Sequence, residues 1–193
     1  MKITLTGGIA CGKSLAATYV AARGIPVCDA DVLAHRAMAV GTPVYQSLVE
    51  YFGSDIVAPS GELDRARLGE IVFGSDEARS VLNGLVHPAV ASAWRLWLAE
   101  QNGPAVVVIP LLFEAGYADG WDSIICVCAS EAVRLERLRA RGMTDDQAAA
   151  RLRAQWSNED KAACSDYVLW NDGSPADLKT QVERVVDSIR RQG

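Results

Sequence analysis

Residues 6–14 read TGGIACGKS, and within them Gly7, Gly12, Lys13 and Ser14 fit the spacing G-x-x-x-x-G-K-[ST]. That spacing serves anion binding. Glycines permit backbone conformations and close approaches that side chains forbid, so successive N–H groups can surround phosphate oxygens. A helix starting near Lys13 points the positive end of its dipole at the anion. Lys13 would reach the β- and γ-phosphates of a nucleotide, and the Ser14 hydroxyl would bind Mg2+. Gly7, Gly8, Ile9, Ala10, Cys11, Gly12, Lys13, Ser14 and Leu15 therefore form the candidate ATP-binding loop. A dinucleotide fingerprint is excluded, because Ile9 stands where G-x-G-x-x-G needs its second glycine. With no D-x-x-G and no N-K-x-D in the chain, a guanine-nucleotide switch is disfavoured as well. What remains is an ATP-using phosphotransferase or an ATPase.

Two further groups suit phosphoryl transfer. Asp29-Ala30-Asp31 follows the second apolar run. Ligands of an open parallel sheet collect beyond the carboxyl ends of its strands. One of these carboxylates could take the proton of an acceptor hydroxyl and one could help to hold Mg2+. Residues 134–153 carry six arginines, of which Arg134, Arg137 and Arg141 are spaced to share one helix face. Guanidinium forks suit a triphosphate and a transferring phosphoryl group, with Arg137 and Arg141 the favoured pair. Gly142 breaks that helix before the cap Thr144-Asp145-Asp146-Gln147. Helix, break and second helix would make a lid that keeps water from competing as acceptor.

The elements that must position these groups follow from patterning. Short apolar runs at 3–6, 25–28, 105–109, 123–128 and 166–169 read as strands, and the intervening helical patterns imply a parallel sheet covered on both faces. A helix over 13–23 ends at Gly24. The last helix, starting at Ser174-Pro175, carries Leu178, Val182, Val185, Val186 and Ile189 on one stripe that should close over the sheet. Between 32 and 101 the patterns are helical, with Val90, Ala93, Trp94, Trp97 and Leu98 on one face and Pro88 expected in the first turn of that helix. This block interrupts the α/β alternation and reads as an insertion.

In combination these pieces resemble the dephospho-coenzyme A kinases. The resemblance rests on TGGIACGKS, Asp29-Ala30-Asp31 with His35, Leu63-Asp64-Arg65 with Val72-Phe73, His87-Pro88 and Ile109-Pro110-Leu111-Leu112-Phe113-Glu114. Arg137 with Arg141, Gln155, and Asp166 with Asn171 extend it along nearly the whole chain. It implies an α/β fold: a P-loop kinase core with a five-stranded parallel sheet over 1–31, 104–133 and 157–193. A helical acceptor domain at 32–103 and a helical lid at 134–156 would complete it. The implied reaction moves the γ-phosphoryl of ATP to the ribose 3′-hydroxyl of dephospho-coenzyme A, the last step of coenzyme A synthesis, with Mg2+ as cofactor. The resemblance makes Asp31 the catalytic aspartate, assisted by Lys13 and Arg141. Asn171 would border the adenine, and His35, His87 and Leu111 would lie on the acceptor side with Asp31.

Two departures stand out. The third strand ends Val108-Ile109-Pro110, without an aspartate to serve as the usual magnesium ligand, which leaves Asp29 or Glu114. Cys11 occupies a loop position where the family commonly has serine. At a helix N-terminus its thiol pKa is expected to be lowered, giving a redox-sensitive, non-catalytic position that ATP would shield.

Bulk composition agrees with a globular enzyme. The chain has 193 residues, is half hydrophobic and carries a net charge of −5, which disfavours a nucleic-acid partner. No signal-like or membrane-spanning stretch is evident, so a cytoplasmic protein with no membrane or obligatory protein partner is expected. Five cysteines, none spaced C-x-x-C, read as free buried thiols. The rival readings are another small-molecule or nucleoside monophosphate kinase, and a non-catalytic nucleotide-binding regulator.

Overall fold

The computed structural model describes residues 1–192. The chain divides into two compact units, Met1–Asp29 with Gln101–Gly193, and Ala30–Glu100. The first is built on five strands: β1 (Lys2–Gly7), β2 (Val27–Asp29), β3 (Ala105–Val108), β4 (Ser123–Cys128) and β5 (Tyr167–Trp170). They lie in the order β2-β3-β1-β4-β5, and every pair is parallel. All five expected strands form, with ends shifted by one or two residues. From β1 the chain builds first to one side and then to the other, so the end of β1 is a switch point where a crevice opens.

Alternation along the strands sends Ile3, Leu5, Val106, Val108, Ile125, Val127 and Leu169 to one face. There they meet Ala16 and Val20 of α1 (Lys13–Ala22) and the Leu178, Val182, Val186 and Ile189 stripe of α9 (Pro175–Gln192). Helix α9 starts as its sequence anticipates: the Ser174 hydroxyl accepts from the Asp177 N–H, and the Asp177 carboxylate accepts from the Ser174 N–H. The opposite face carries Thr4, Thr6, Cys126 and Cys128, all fully buried. It receives Asn158 and Lys161 from α8 (Asn158–Ala163). Between β4 and α8 run α6 (Glu131–Ala140) and α7 (Asp145–Arg153). Helix α7 is opened by the full Thr144/Gln147 capping box, and the two helices share an apolar cluster of Leu138, Ala148, Leu135, Met143 and Leu152 with Ile9 and Ala10.

The second unit is helical: α2 (Ala30–Ala37), α3 (Pro43–Phe52), a 3-10 turn at Ser54–Ile56, α4 (Arg65–Gly74) and α5 (Asp76–Ala99). Its core gathers Leu48, Ile56, Leu63 and Leu68. Thr42, Asp64 and Ser75 cap the successive helices through side-chain oxygens. Pro88 does not open a helix, contrary to expectation; it lies inside α5. Ser75, followed by Asp76 and Glu77, starts that helix a full three turns earlier, and the strong cap outweighs the single hydrogen bond a proline removes. No described helix is long and apolar enough to cross a membrane.

Candidate active site

The carbonyls of the loop after β1 are held by side chains. Lys13 Nζ donates to the carbonyls of Gly7 and Gly8, at 2.9 Å each. Arg134 Nε donates to Ile9 O at 3.0 Å, Arg137 Nη1 to Ala10 O at 3.0 Å, and Asn171 Nδ2 to Cys11 O at 2.8 Å. Five successive carbonyls, 7 through 11, are thus each claimed by a side-chain donor. In a trans peptide the C=O and the following N–H point opposite ways. Holding the carbonyls therefore fixes the peptide planes that carry the following amides, of which the Ile9 N–H is taken by Gln155 Oε1 at 2.8 Å and the Cys11 N–H by the Gly8 carbonyl at 3.3 Å.

The backbone at Ala10 has φ 63°, the one positive φ of a non-glycine among the described residues. That conformation costs on the order of 1 kcal/mol, and the Arg137 contact helps to hold it. Gly12 (φ 101°) is needed on two counts: a Cβ there would lie 2.1 Å from Asn171 Nδ2. Gly7 is equally confined, since a Cβ would fall 2.2 Å from the Val127 carbonyl oxygen.

Within each unit the expected site residues take definite positions. Ser14 is exposed in the first turn of α1, and Leu15 is half-buried beside the core. Arg137 spends its other terminal nitrogen on Asn171 O at 2.9 Å, so its contacts are with the loop and with the segment that follows β5. Asn171 is buried, and its backbone N–H also holds Cys128 O at 2.8 Å. Arg141 is exposed at the C-cap of α6, while Arg139 pairs with Asp145 at 2.6 Å. Leu111 is 40% exposed in the turn that follows β3. Asp29 ends β2 and is half-buried. Within the helical unit, Asp31 is exposed in the first turn of α2 and His35 lies in its last turn. His87 is half-buried inside α5, and burial holds its imidazole below the usual histidine range.

Cys11 corrects an expectation. Its thiol is fully buried and donates to Asn158 Oδ1 at 3.5 Å. Burial pushes its pKa up, and the nearby Arg134 and Lys13 charges only offset part of that. Desolvation outweighs the helix terminus, so Cys11 is an inert core thiol. No cysteine forms a disulfide among the described residues, but Cys28 is half-buried and Cys164 is exposed. Cys126 and Cys128 share the buried face with their sulfurs 3.5 Å apart, and that contact, then burial, drives the Cys128 thiol upward.

Of the remaining contributors, Gln155, Arg134 and Glu114 were singled out in the sequence, whereas Trp156 and Lys161 were not. Gln155 Oε1 accepts from the Ile9 N–H at 2.8 Å, and Arg134 is buried behind the loop. Lys161, also buried, meets Glu114 Oε1 at 2.7 Å, and that same oxygen accepts from the Trp156 N–H at 2.9 Å. The other oxygen, Oε2, is buried with no hydrogen-bond partner among the described residues. Trp156 stacks on Phe113 with ring centroids 5.5 Å apart. No local signal marks this lysine as inward-pointing, because it lies in a short, largely polar helix capped by Ser157.

Comparison with known proteins converges on one family. The family model of dephospho-CoA kinase matches residues 1–177. The dephospho-CoA kinase of Thermosynechococcus vestitus is 42% identical over 196 residues, spanning 100% of this chain and 97% of its own. A solved structure from Thermus thermophilus aligns at TM-score 0.83 and 33% identity, covering 98% of this chain and 97% of that one. The dephospho-CoA kinase structure from Campylobacter jejuni aligns at TM-score 0.75 and 28% identity over 100% and 99% of the two chains. A glycine-rich loop with its carbonyls held by side chains, at the switch point of a parallel sheet, agrees with these matches, and the chain belongs to the dephospho-CoA kinase family.

Proposed function

We propose that this kinase transfers the γ-phosphoryl of ATP to the ribose 3′-hydroxyl of dephospho-coenzyme A, giving coenzyme A and ADP. The observation that carries the donor half is the set of five claimed carbonyls at Gly7 through Cys11. It fixes the loop backbone, so that amides other than those of Ile9 and Cys11, with the N-terminus of α1, cradle the triphosphate. Lys13 exchanges its carbonyl partners for β- and γ-phosphate oxygens when nucleotide arrives. Arg141, exposed at the end of α6, supplies charge to the transferring group, and the 134–156 segment acts as the lid. Asp31 accepts the proton of the acceptor hydroxyl, with His35, His87 and Leu111 contributing to acceptor binding.

The donor set fits Mg2+. Ser14 presents an exposed hydroxyl, and Glu114 Oε2 is a buried carboxylate oxygen that lacks a hydrogen-bond partner among the described residues. Hard oxygen ligands of this kind suit the ion. The orphaned oxygen favours Glu114 over Asp29 as the second protein donor. When bound, the ion would neutralise charge on the β- and γ-phosphates. The reaction belongs in the cytoplasm, where its nucleotide is available.

The test is ADP release by the purified protein with Mg2+ and ATP against a panel of acceptors, with the product identified by mass spectrometry. Dephospho-coenzyme A should give ADP and a 3′-phosphorylated product in equal amounts. ADP formed only with another nucleotide or alcohol, or none with any acceptor, overturns the reading.

A further inference from the structure

Lys161 is a fully buried lysine, with 0% of its side chain exposed, inside a kinase core. Its ammonium meets Glu114 Oε1 at 2.7 Å and the Pro110 carbonyl at 3.3 Å. The Pro110 carbonyl is shared with Thr6 Oγ1, at 3.4 Å, on the strand that leads into the phosphate loop. A buried ion pair retained for stability alone would have both carboxylate oxygens satisfied, because each unpaired buried oxygen carries a desolvation penalty. Here the pairing is one-sided. Oε1 receives both Lys161 and the Trp156 N–H, and Oε2 receives nothing among the described residues. Both donors fall on Oε1, which anchors that oxygen and leaves Oε2 as the one carboxylate oxygen still to be satisfied. Gln155, the neighbour of Trp156, holds the Ile9 N–H of the loop, so the same segment ties the loop and the carboxylate together.

We infer that Lys161 is a positioning residue: with the Trp156 N–H, it turns Glu114 so that Oε2 can accept a hydrogen bond from a water of the divalent cation that accompanies the nucleotide. The inference rests on the assignment of Glu114 as a magnesium donor. Lys161 also offsets most of the Glu114 charge, so Oε2 suits a water of the cation's hydration shell better than a tight direct bond, and Mg2+ dehydrates reluctantly.

A double-mutant cycle tests this, with Mn2+ binding to the complex of enzyme and a non-hydrolysable ATP analogue read by electron paramagnetic resonance, beside the melting temperature. Glu114→Gln keeps an acceptor for Lys161 but replaces the open oxygen. It should weaken Mn2+ about tenfold or more, the usual cost of disturbing a metal's outer partners. Lys161→Met should weaken Mn2+ by a similar factor and also lower the melting temperature. In the Glu114→Gln background, Lys161→Met should cost no further Mn2+ affinity, because the lysine acts through the carboxylate. Lys161→Arg, which keeps the charge, should recover at least about a third of the wild-type metal affinity, and it carries the comparison if the methionine variant does not fold.

Wild-type Mn2+ affinity in a folded Lys161→Met or Glu114→Gln protein overturns the inference, as does an equal further loss in the double variant. Failure of the functional reading shows differently: the wild-type enzyme would then release no ADP with dephospho-coenzyme A.

Discussion

The two faces of the parallel sheet are made by the same strands and serve different ends. One face is apolar throughout, with Ile3, Leu5, Val106, Val108, Ile125, Val127 and Leu169 packed under α1 and α9. The other buries Thr4, Thr6, Cys126 and Cys128 against Asn158 and Lys161, and these polar atoms find partners: Thr4 on the Val107 carbonyl, Thr6 on that of Pro110, and Cys128 on that of Asn158. Burial is equally complete on both, so burial does not distinguish them. The apolar face stabilises by removing surface from water, a non-directional effect that tolerates exchange of similar side chains. The polar face stabilises only while each directional contact is kept, and its contacts lead to the strand ends where the phosphate loop and Glu114 lie. Stability and site geometry are thus assigned largely to opposite sides of one sheet.

Substitutions can break that division. Lys13→Ala removes the ammonium that holds the Gly7 and Gly8 carbonyls and that, on the proposed function, meets the phosphates. It should lower kcat by about 10³-fold, on the scale of lost transition-state electrostatics, while the melting temperature stays close to wild type. Leu178→Ala, on the apolar face, should do the reverse. It should cost about 3 kcal/mol in chemical denaturation through the cavity it leaves, with kcat per folded molecule unchanged. A large loss of kcat at full folding would show that the faces are coupled.

Arg137→Ala should weaken ATP binding by about 2 kcal/mol, the worth of hydrogen bonds from a charged group, measured as Kd by titration calorimetry. Ala10 and Asn171 lose their shared clamp, so Kd should move more than the melting temperature does. Cys11→Ser should matter least, with activity within about threefold, under ~1 kcal/mol, because a hydroxyl can make the same donation to Asn158. Alkylation of native Cys11 should be slow with and without ATP, and a fast reaction that ATP blocks would show that the loop opens.

Much of the core was legible from residue types. The phosphate loop, all five strands and the α9 stripe follow from spacing, since apolar periodicity and glycine placement are local signals. Pro88 misleads because proline at N1 is only a preference, and the Ser75 cap lies thirteen residues upstream. Cys11 misleads because helix-terminus logic assumes solvent contact, and burial is a property of the whole fold. Arg134 and Arg137 show a subtler limit. Their helical spacing reveals that they share a face, but not that the face meets backbone carbonyls of a loop more than 120 residues away. Lys161 was silent for the same reason: a charged residue in a short polar helix reads as exposed unless its partner, Glu114, is known to lie opposite.

The five claimed carbonyls also bear on the order in which the molecule can be made. Their donors reside at Lys13, Arg134, Arg137 and Asn171, and Gln155 adds a contact to Ile9. The first of these is translated with the loop, but the last emerges about 160 residues later. β1 itself is a central strand flanked by β3 and β4, so it too waits for partners made afterwards. The loop is therefore translated well before most of the side chains and strands that shape it, and it takes its final form only after they have been made.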